Sequence, residues 1–113
     1  MSEDNVEIVR GVYERWGRGD FATAEVLDPH VVMVLGPEFP DAGTHLGVDA
    51  VGRYMTGFLE PWTRITIEAE EVIEAGDSVV AGVVQRGEGS QSGAATEFRY
   101  FHVWSFRGGR VIR

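Results

Sequence analysis

Apolar residues recur at helical spacing in the first part of the chain. Asp4 can cap a helix that Gly17 and Gly19 end. The apolar positions of this helix lie three or four residues apart, and they are Val6, Val9, Val12, Tyr13 and Trp16. The spacing predicts an amphipathic helix that buries one face.

Two further helices are predicted before the pattern changes. Asp20 can cap a second, short helix, which the pair Asp28-Pro29 closes. A third helix follows Gly47 and stops at Pro61. Its apolar and aromatic residues are Val48, Val51, Tyr54, Met55, Phe58 and Leu59.

Strand patterns occupy the rest of the chain. The continuously apolar run Val31–Leu35 predicts a buried strand, and residues 36–47 have the Gly, Pro and Asp density of a loop. From Trp62 onward apolar and polar residues alternate with a period of two. A turn at 75–77 ends the first of these strands, and turns at 87–93 and 108–109 separate the later strands 78–86, 96–106 and 110–113.

Helices followed by an antiparallel meander predict an α+β domain, with the helices packed on one face of a curved sheet. The 113 residues suit one domain, and 43% hydrophobic with 25% charged residues is ordinary for a soluble protein. A formal net charge of −8 would repel a phosphate backbone, so we expect neither nucleic acid nor an anionic membrane as a partner.

Several kinds of site and location are disfavoured by composition. The chain has no cysteine, and its three histidines, His30, His45 and His102, form no short ligand motif, so we expect no metal. No glycine-rich phosphate loop lies between a strand and a helix, so we expect no nucleotide cofactor. The acidic N-terminal residues MSEDNVE and the lack of a long apolar segment predict a cytoplasmic protein.

The order of motifs supports a specific family. The segments NVEIVRGVYERWGRGDFATAEVLDPHV, PEFPDAGTHLGVDAVGRYM, EAGDSVV and FHVWSFRGGRVIR together resemble the SnoaL-like branch of the nuclear transport factor 2-like superfamily, which is related to ketosteroid isomerase. This resemblance implies a cystatin-like α+β cone, in which three N-terminal helices pack on a strongly curved, mostly antiparallel sheet. It also implies an internal pocket between the first and third helices and the concave face of the sheet. A fold shared by isomerases, hydrolases, cyclases and non-catalytic proteins leaves the reaction open.

The resemblance allows the ketosteroid isomerase site to be placed on this chain. Its catalytic aspartate falls on Val34, its oxyanion tyrosine falls near Val12 with Tyr13 one position away, and its second oxyanion acid falls on His102. A valine cannot accept a proton, so the isomerase mechanism does not carry over. The Asp-Arg-Asp pattern of limonene epoxide hydrolase has no clear match either.

The strand TEFRYFHVWSF, Thr96–Phe106, carries the main candidate, His102. Because strand side chains alternate, His102 in the pocket would bring Phe98, Tyr100, Trp104 and Phe106 to the same side. Pairing the preceding strand through its hairpin loop predicts Gly82 opposite His102 and Arg86 opposite Phe98. Arg86 would then lie roughly 13 Å along the sheet from His102, at ~3.3 Å per residue, and the two would hold opposite ends of one ligand.

Two functional classes follow from these residues. In the first, the protein is an enzyme of isomerase, hydrolase or cyclase type on a small apolar organic molecule, with His102 as the catalytic proton carrier, titrating near physiological pH. The predicted ligand contacts are Tyr13, Trp16, Val34, Tyr54, Gly82, Arg86, Tyr100 and Trp104. In the second, the domain binds a ligand or a second copy without turnover, which Val34 and the lack of a placed pocket carboxylate favour. Separately, His102 is either a pocket residue or a core residue whose nitrogens are satisfied by protein groups. Glu68, Glu70 or Glu71 is a candidate carboxylate partner for His102.

Assembly and chain length give two more expectations. Phe101 and Val103, with Val79, Ala81 and Val83 of the neighbouring strand, are predicted to form an apolar stripe on the convex face. The resemblance implies a homodimer through that face. It also implies residues after Arg113 that continue the last strand, so that this strand is cut short.

Overall fold

The computed structural model describes residues 2–21, 24–37, 42–89, 93 and 95–113. The described elements are, in order, α1 (Ser2–Gly17), a 3₁₀ turn (Ala24–Val26), β1 (Val32–Leu35), β2 (Gly43–Leu46), α2 (Val48–Leu59), β3 (Trp62–Ala75), β4 (Ser78–Gly89), β5 (Ala95–Arg107) and β6 (Arg110–Val111). Antiparallel β1 and β2 form one sheet, and β3-β4-β5-β6 form a second, antiparallel sheet that is strongly curved. The α+β prediction is confirmed. No helix in the described part of the chain is long and apolar enough to span a membrane.

The first helix ends as predicted but begins earlier. It starts at Ser2, so Asp4 lies two residues inside the helix and not at its start. At the other end Gly19, with φ of +83°, donates to the Trp16 carbonyl at 2.9 Å, and Asp20 N–H donates to the Arg15 carbonyl at 2.9 Å. This is a Schellman motif, and glycine suits its left-handed position because it lacks a Cβ.

The prediction of three helices is wrong, since the described residues contain two. The stretch predicted as the second helix holds only the 3₁₀ turn. Leu27 forms a parallel bridge with Val111, and Asp28 N–H donates to the Val111 carbonyl at 2.8 Å. Pairing with the C-terminal segment therefore draws this stretch out of helical geometry, because its backbone groups are satisfied by β6.

Part of the predicted loop 36–47 is a strand. Gly43–Leu46 pairs with β1 in the register Val32↔Leu46 to Leu35↔Gly43, while residues 38–41 lie outside the described part of the chain. The sequence GTHL lacks the apolar alternation of a strand, but its backbone forms hydrogen bonds with the N–H and C=O groups of β1. The run Val31–Leu35 is also less buried than predicted, because Val34 is 50% exposed.

The core lies between α1 and the concave face of the larger sheet. From the helix, Val9, Val12, Tyr13 and Trp16 are buried. From the sheet, the buried residues of this cluster are Ile67, Val79, Ala81, Val83, Phe106 and Val111. The prediction that Val79, Ala81 and Val83 lie on the convex face is therefore wrong.

A one-residue error in register explains that mistake. In the structure His102 pairs with Ala81, and Phe101 pairs with Gly82. A shift of one residue moves every side chain of a strand to the other face. A further irregularity lies in β3 between Ala69 and Glu71, where a bulge changes which side chains face inward and places Val72 against the core.

Candidate functional site

A cavity of about 250 Å³ lies beside the core. Its walls come from α2, β1 and the concave side of the larger sheet. The apolar part of the wall includes Val51, Met55 and Phe58 of α2 and Ile67 of β3. Such a mainly apolar hollow with a few polar groups is typical of sites for small organic molecules.

His102 lies in the cavity wall, where it is hydrogen-bonded to the buried Tyr13, which is in turn hydrogen-bonded to the partly buried Trp104. The Tyr13 hydroxyl lies 2.6 Å from Nδ1 of His102, and Nε1 of Trp104 donates to the Tyr13 oxygen at 3.0 Å. Among the described residues Nδ1 of His102 is the one acceptor within reach of the Tyr13 hydrogen, because Trp104 can only donate to the Tyr13 oxygen. The arrangement is therefore a directed chain from Trp104 through Tyr13 to Nδ1 of His102.

This chain selects one tautomer of the imidazole. A neutral histidine carries one N–H, and if Nδ1 accepts from Tyr13 the proton resides on Nε2. Among the described residues, Tyr13 is the only hydrogen-bond partner of His102. The wall of the cavity thus contains an imidazole N–H donor whose protein partner at Nε2 is absent from the described part of the chain.

Burial keeps both members of the pair uncharged. It lowers the pKa of His102 to about 4, below the physiological range expected from the sequence. Burial also raises the pKa of Tyr13 well above its usual value of 10.0, against a smaller opposing effect of the Trp104 hydrogen bond. At neutral pH His102 is a hydrogen-bond donor and a poor base.

A second polar pair lies in the wall on neighbouring strands. The Tyr100 hydroxyl donates to Oε1 of Gln85 at 2.7 Å, and both residues line the cavity. Burial raises the pKa of Tyr100 to about 12, with a smaller contribution from Tyr54. Sequence analysis missed Gln85. A correct register would have found it, because Gln85 is the single polar residue on the inward face of Val79, Ala81 and Val83.

Trp16 completes an aromatic wall around the imidazole. Its ring centroid lies 6.2 Å from that of His102 and 5.3 Å from that of Tyr13. Its indole Nε1 is buried and has no acceptor among the described residues. Such a group costs roughly 1–3 kcal/mol unless an oxygen from water or a ligand reaches it.

Two predicted ligand contacts lie on the wrong face. Gly82 is opposite Phe101, whose Cε1 would lie 3.6 Å from a Cβ added at Gly82. Arg86 is opposite Glu97 and donates to that carboxylate at 2.7 Å on the exposed face. Neither residue lines the cavity, because the predicted register was shifted by one.

The other predicted contacts divide into wall residues and a supporting residue. Trp16, Val34, Tyr54, Tyr100 and Trp104 line the cavity, whereas Tyr13 is buried behind His102.

Phe98 and Phe106, the other two residues predicted to face the pocket, lie toward opposite ends of β5 and differ in burial. Phe106 is buried in the core, whereas Phe98, at the other end of the same face, is 54% exposed. The inward set predicted for this strand therefore holds only from Tyr100 onward.

The predicted carboxylate partner of His102 is not found among the glutamates of β3. Glu68, Glu70 and Glu71 are all exposed. Glu70 accepts from Arg99 at 3.2 Å on the outer side of the sheet. Tyr13, which lies 89 residues from His102 in the chain, takes the place that the carboxylate was expected to fill.

Comparisons with known proteins agree with this architecture. An NTF2-like protein from Burkholderia thailandensis superposes with a TM-score of 0.84 at 28% identity, covering 95% of this chain and 84% of that one. A protein from Jannaschia sp. CCS1 described as a SnoaL-like polyketide cyclase gives 0.83 at 18% identity, with 98% and 82% covered. TerC, crystallised with polyporic acid, gives 0.82 at 22% identity, with 97% and 87% covered.

Sequence comparison assigns the family. No curated protein sequence matches this chain significantly. A model of the SnoaL-like domain matches residues 9–113, which is most of the chain and includes all the cavity residues described above. The chain therefore belongs to the SnoaL-like domain family.

Proposed function

We propose that the cavity binds a small, largely apolar organic molecule with a carbonyl or similar acceptor oxygen, and that Nε2–H of His102 donates to this oxygen. The observation that carries the proposal is the chain from Trp104 through Tyr13 to Nδ1, which leaves the imidazole proton on Nε2. A neutral donor held by buried partners is pre-organised, so it loses little freedom when the ligand binds.

The chemistry that suits this donor is stabilisation of charge on an oxygen. A hydrogen bond from a neutral imidazole strengthens as negative charge develops on a carbonyl oxygen, as it does in isomerisation or ring closure through an enolate. In such a reaction His102 stabilises the oxygen and is not the base that removes the proton, because its lowered pKa makes it a weak base. TerC, which shares the fold, was crystallised with polyporic acid, and this supports a small organic ligand.

Binding without turnover is the second candidate, and one observation favours it. Among the described residues that line the cavity, none is an aspartate or glutamate, so the described wall lacks a carboxylate base. The two candidates differ in exchange of the ligand's α protons in D₂O. An enzyme of enolate type accelerates this exchange in proportion to protein concentration, whereas a carrier leaves it at the rate of the free ligand.

Ligand binding is tested with a panel of aryl ketones and the matching hydrocarbons. Trp16 and Trp104 line the cavity, so their fluorescence reports occupancy. His102→Phe keeps the bulk but removes both nitrogens, and Arg86→Ala on the outer face is the matched control. We expect His102→Phe to weaken ketone binding roughly three- to tenfold, as for one hydrogen bond, and to leave hydrocarbon binding unchanged. Equal ketone affinity in a folded His102→Phe protein would refute the role of His102.

We also propose that two copies associate through the convex face of the larger sheet. Phe101 and Val103 point away from the core and are 72% and 59% exposed, which is unusual for large apolar side chains on adjacent positions of one face. Sedimentation at micromolar concentration is expected to give a mass of twice 12.5 kDa for the parent protein. The Phe101→Glu variant is expected to sediment as a monomer. A parent protein that sediments at 12.5 kDa contradicts the dimer.

A further inference from the structure

Gln85 places a buried amide in the wall of the cavity. Its side chain lies on the inward face of β4, and only 5% of the residue is exposed. Glutamine is seldom buried to this degree, because its amide carries donors and an acceptor that need partners. The residues paired with Gln85 on the two neighbouring strands, Ile67 of β3 and Phe98 of β5, are apolar, so their side chains offer it no hydrogen bond. The partners of this amide have to come from elsewhere in the cavity.

Tyr100 provides a partner for the oxygen of the amide but not for its nitrogen. The Tyr100 hydroxyl donates to Oε1 of Gln85 at 2.7 Å. Burial raises the pKa of Tyr100 to about 12, so the hydroxyl keeps its hydrogen at neutral pH. With Oε1 bonded to Tyr100, Nε2 of Gln85 carries two N–H donors that have no acceptor among the described residues. A buried donor of this kind is destabilising until an acceptor atom inside the cavity reaches it.

The Gln85 amide and the His102 imidazole lie at two separate places in the wall, with Tyr100 between them. His102 pairs with Ala81, and Tyr100 pairs with Val83, midway between Ala81 and Gln85. At ~3.3 Å per residue, the backbone positions of the two donors are roughly 13 Å apart along the sheet. The Tyr100 ring centroid lies 5.1 Å from that of His102, and the Tyr100 hydroxyl contacts Gln85. A ligand that reaches both donors therefore extends along the Tyr100 side chain.

We propose that Gln85 is a second hydrogen-bond donor of the cavity and selects ligands with two acceptor groups at opposite ends of an apolar, bicyclic body. One acceptor binds Nε2–H of His102, and the other binds the Nε2 hydrogens of Gln85. This inference rests on the proposed function, because it takes His102 as the first donor. A ligand with one acceptor leaves a buried donor unpaired, and this difference makes Gln85 a specificity-determining residue.

The test compares the affinities of 2-acetylnaphthalene and 2,6-diacetylnaphthalene by titration calorimetry. The two ketones share one ring system and differ in the second carbonyl. We expect the parent to bind the diketone roughly three- to tenfold more tightly, as for one added hydrogen bond. Gln85→Met keeps the length of the side chain without its polar atoms, and we expect the two affinities to fall within about twofold of each other. Arg86→Ala, on the outer face at the next position, is the matched control and is expected to keep the preference.

The side-chain amide of Gln85 gives a direct readout in ¹⁵N-labelled protein. We expect the diketone to shift the Nε2 signals of Gln85 and of the His102 imidazole with one common midpoint, which a purely structural role of Gln85 would not produce. If Gln85→Met does not fold because Tyr100 loses its acceptor, the double variant Gln85→Met with Tyr100→Phe removes both partners and is compared with Tyr100→Phe alone. Loss of the preference in the double variant, relative to Tyr100→Phe, then supports the inference.

Three results would overturn the role of Gln85. They are a parent that binds both ketones equally, a preference that survives in the folded variant without Gln85, and a Gln85 amide signal that saturating diketone does not move. If any of these occurs while His102→Phe still weakens binding of the monoketone, the proposed function stands and this inference alone fails. If neither ketone binds the parent, the proposed function fails and this inference fails with it.

Discussion

Acidification is expected to destabilise this protein through His102. Burial lowers the pKa of the folded imidazole from its usual value of 6.5 to about 4. Between these two values the unfolded chain binds a proton that the folded protein rejects, so the free energy of unfolding falls as the pH falls. The effect is absent above about pH 6.5 and complete below about pH 4. At 1.36 kcal/mol per pKa unit it reaches about 3 kcal/mol, of which about 2 kcal/mol is lost by pH 5.

The measurement compares the parent with His102→Gln in urea between pH 7 and pH 5. Carboxylates are common to both proteins, so their contribution cancels in the difference between the two free energies of unfolding. We expect this difference to shift by about 2 kcal/mol against the parent as the pH is lowered from 7 to 5. The imidazole resonances of His102 are expected to titrate with a midpoint near the value of about 4.

A flat difference would refute the reasoning. It would mean that the folded protein protonates His102 as readily as the unfolded chain does, which requires water to solvate the imidazolium in the cavity. Protonated His102 would donate from both ring nitrogens, so the hydrogen bond from Tyr13 to Nδ1 would have to reverse its direction.

Two other substitutions give sharp expectations for stability. Tyr13→Phe leaves Nδ1 of His102 and Nε1 of Trp104 without a partner among the described residues. We therefore expect thermal unfolding to show a loss of roughly 1–3 kcal/mol, and a neutral result would contradict the hydrogen-bonded chain. Gly87→Ala places a Cβ 2.6 Å from Cε3 of Trp62, so we expect a loss of roughly 1–3 kcal/mol by urea denaturation, and unchanged stability would show that the indole moves freely.

Local sequence patterns predicted the elements near His102 but missed its partners. The alternation around His102 correctly placed Tyr100 and Trp104 on its side of β5, because side-chain direction in a regular strand depends only on parity. Which residues of β4 pair with β5 is a different question, and the only local guide to it in the sequence is the connecting segment 87–93. Its length and glycine content are compatible with more than one register, and the choice made from the sequence exchanged Arg86 for Gln85 on the inward face.

What the sequence determined by itself was the class of fold and the inward face of β5 from Tyr100 onward, since both follow from residue order and period along the chain, while the family followed from a resemblance of its motifs. Tertiary structure alone decided the register of β4, the bulge in β3 and the contact of Tyr13 with His102 across 89 residues. These features arise when segments distant in sequence form hydrogen bonds with each other and pack into one core. A local pattern of residues does not specify which distant segments pair. The role of His102 belongs to the same group, because an imidazole becomes a neutral donor only after folding has buried it and supplied the Tyr13 hydroxyl.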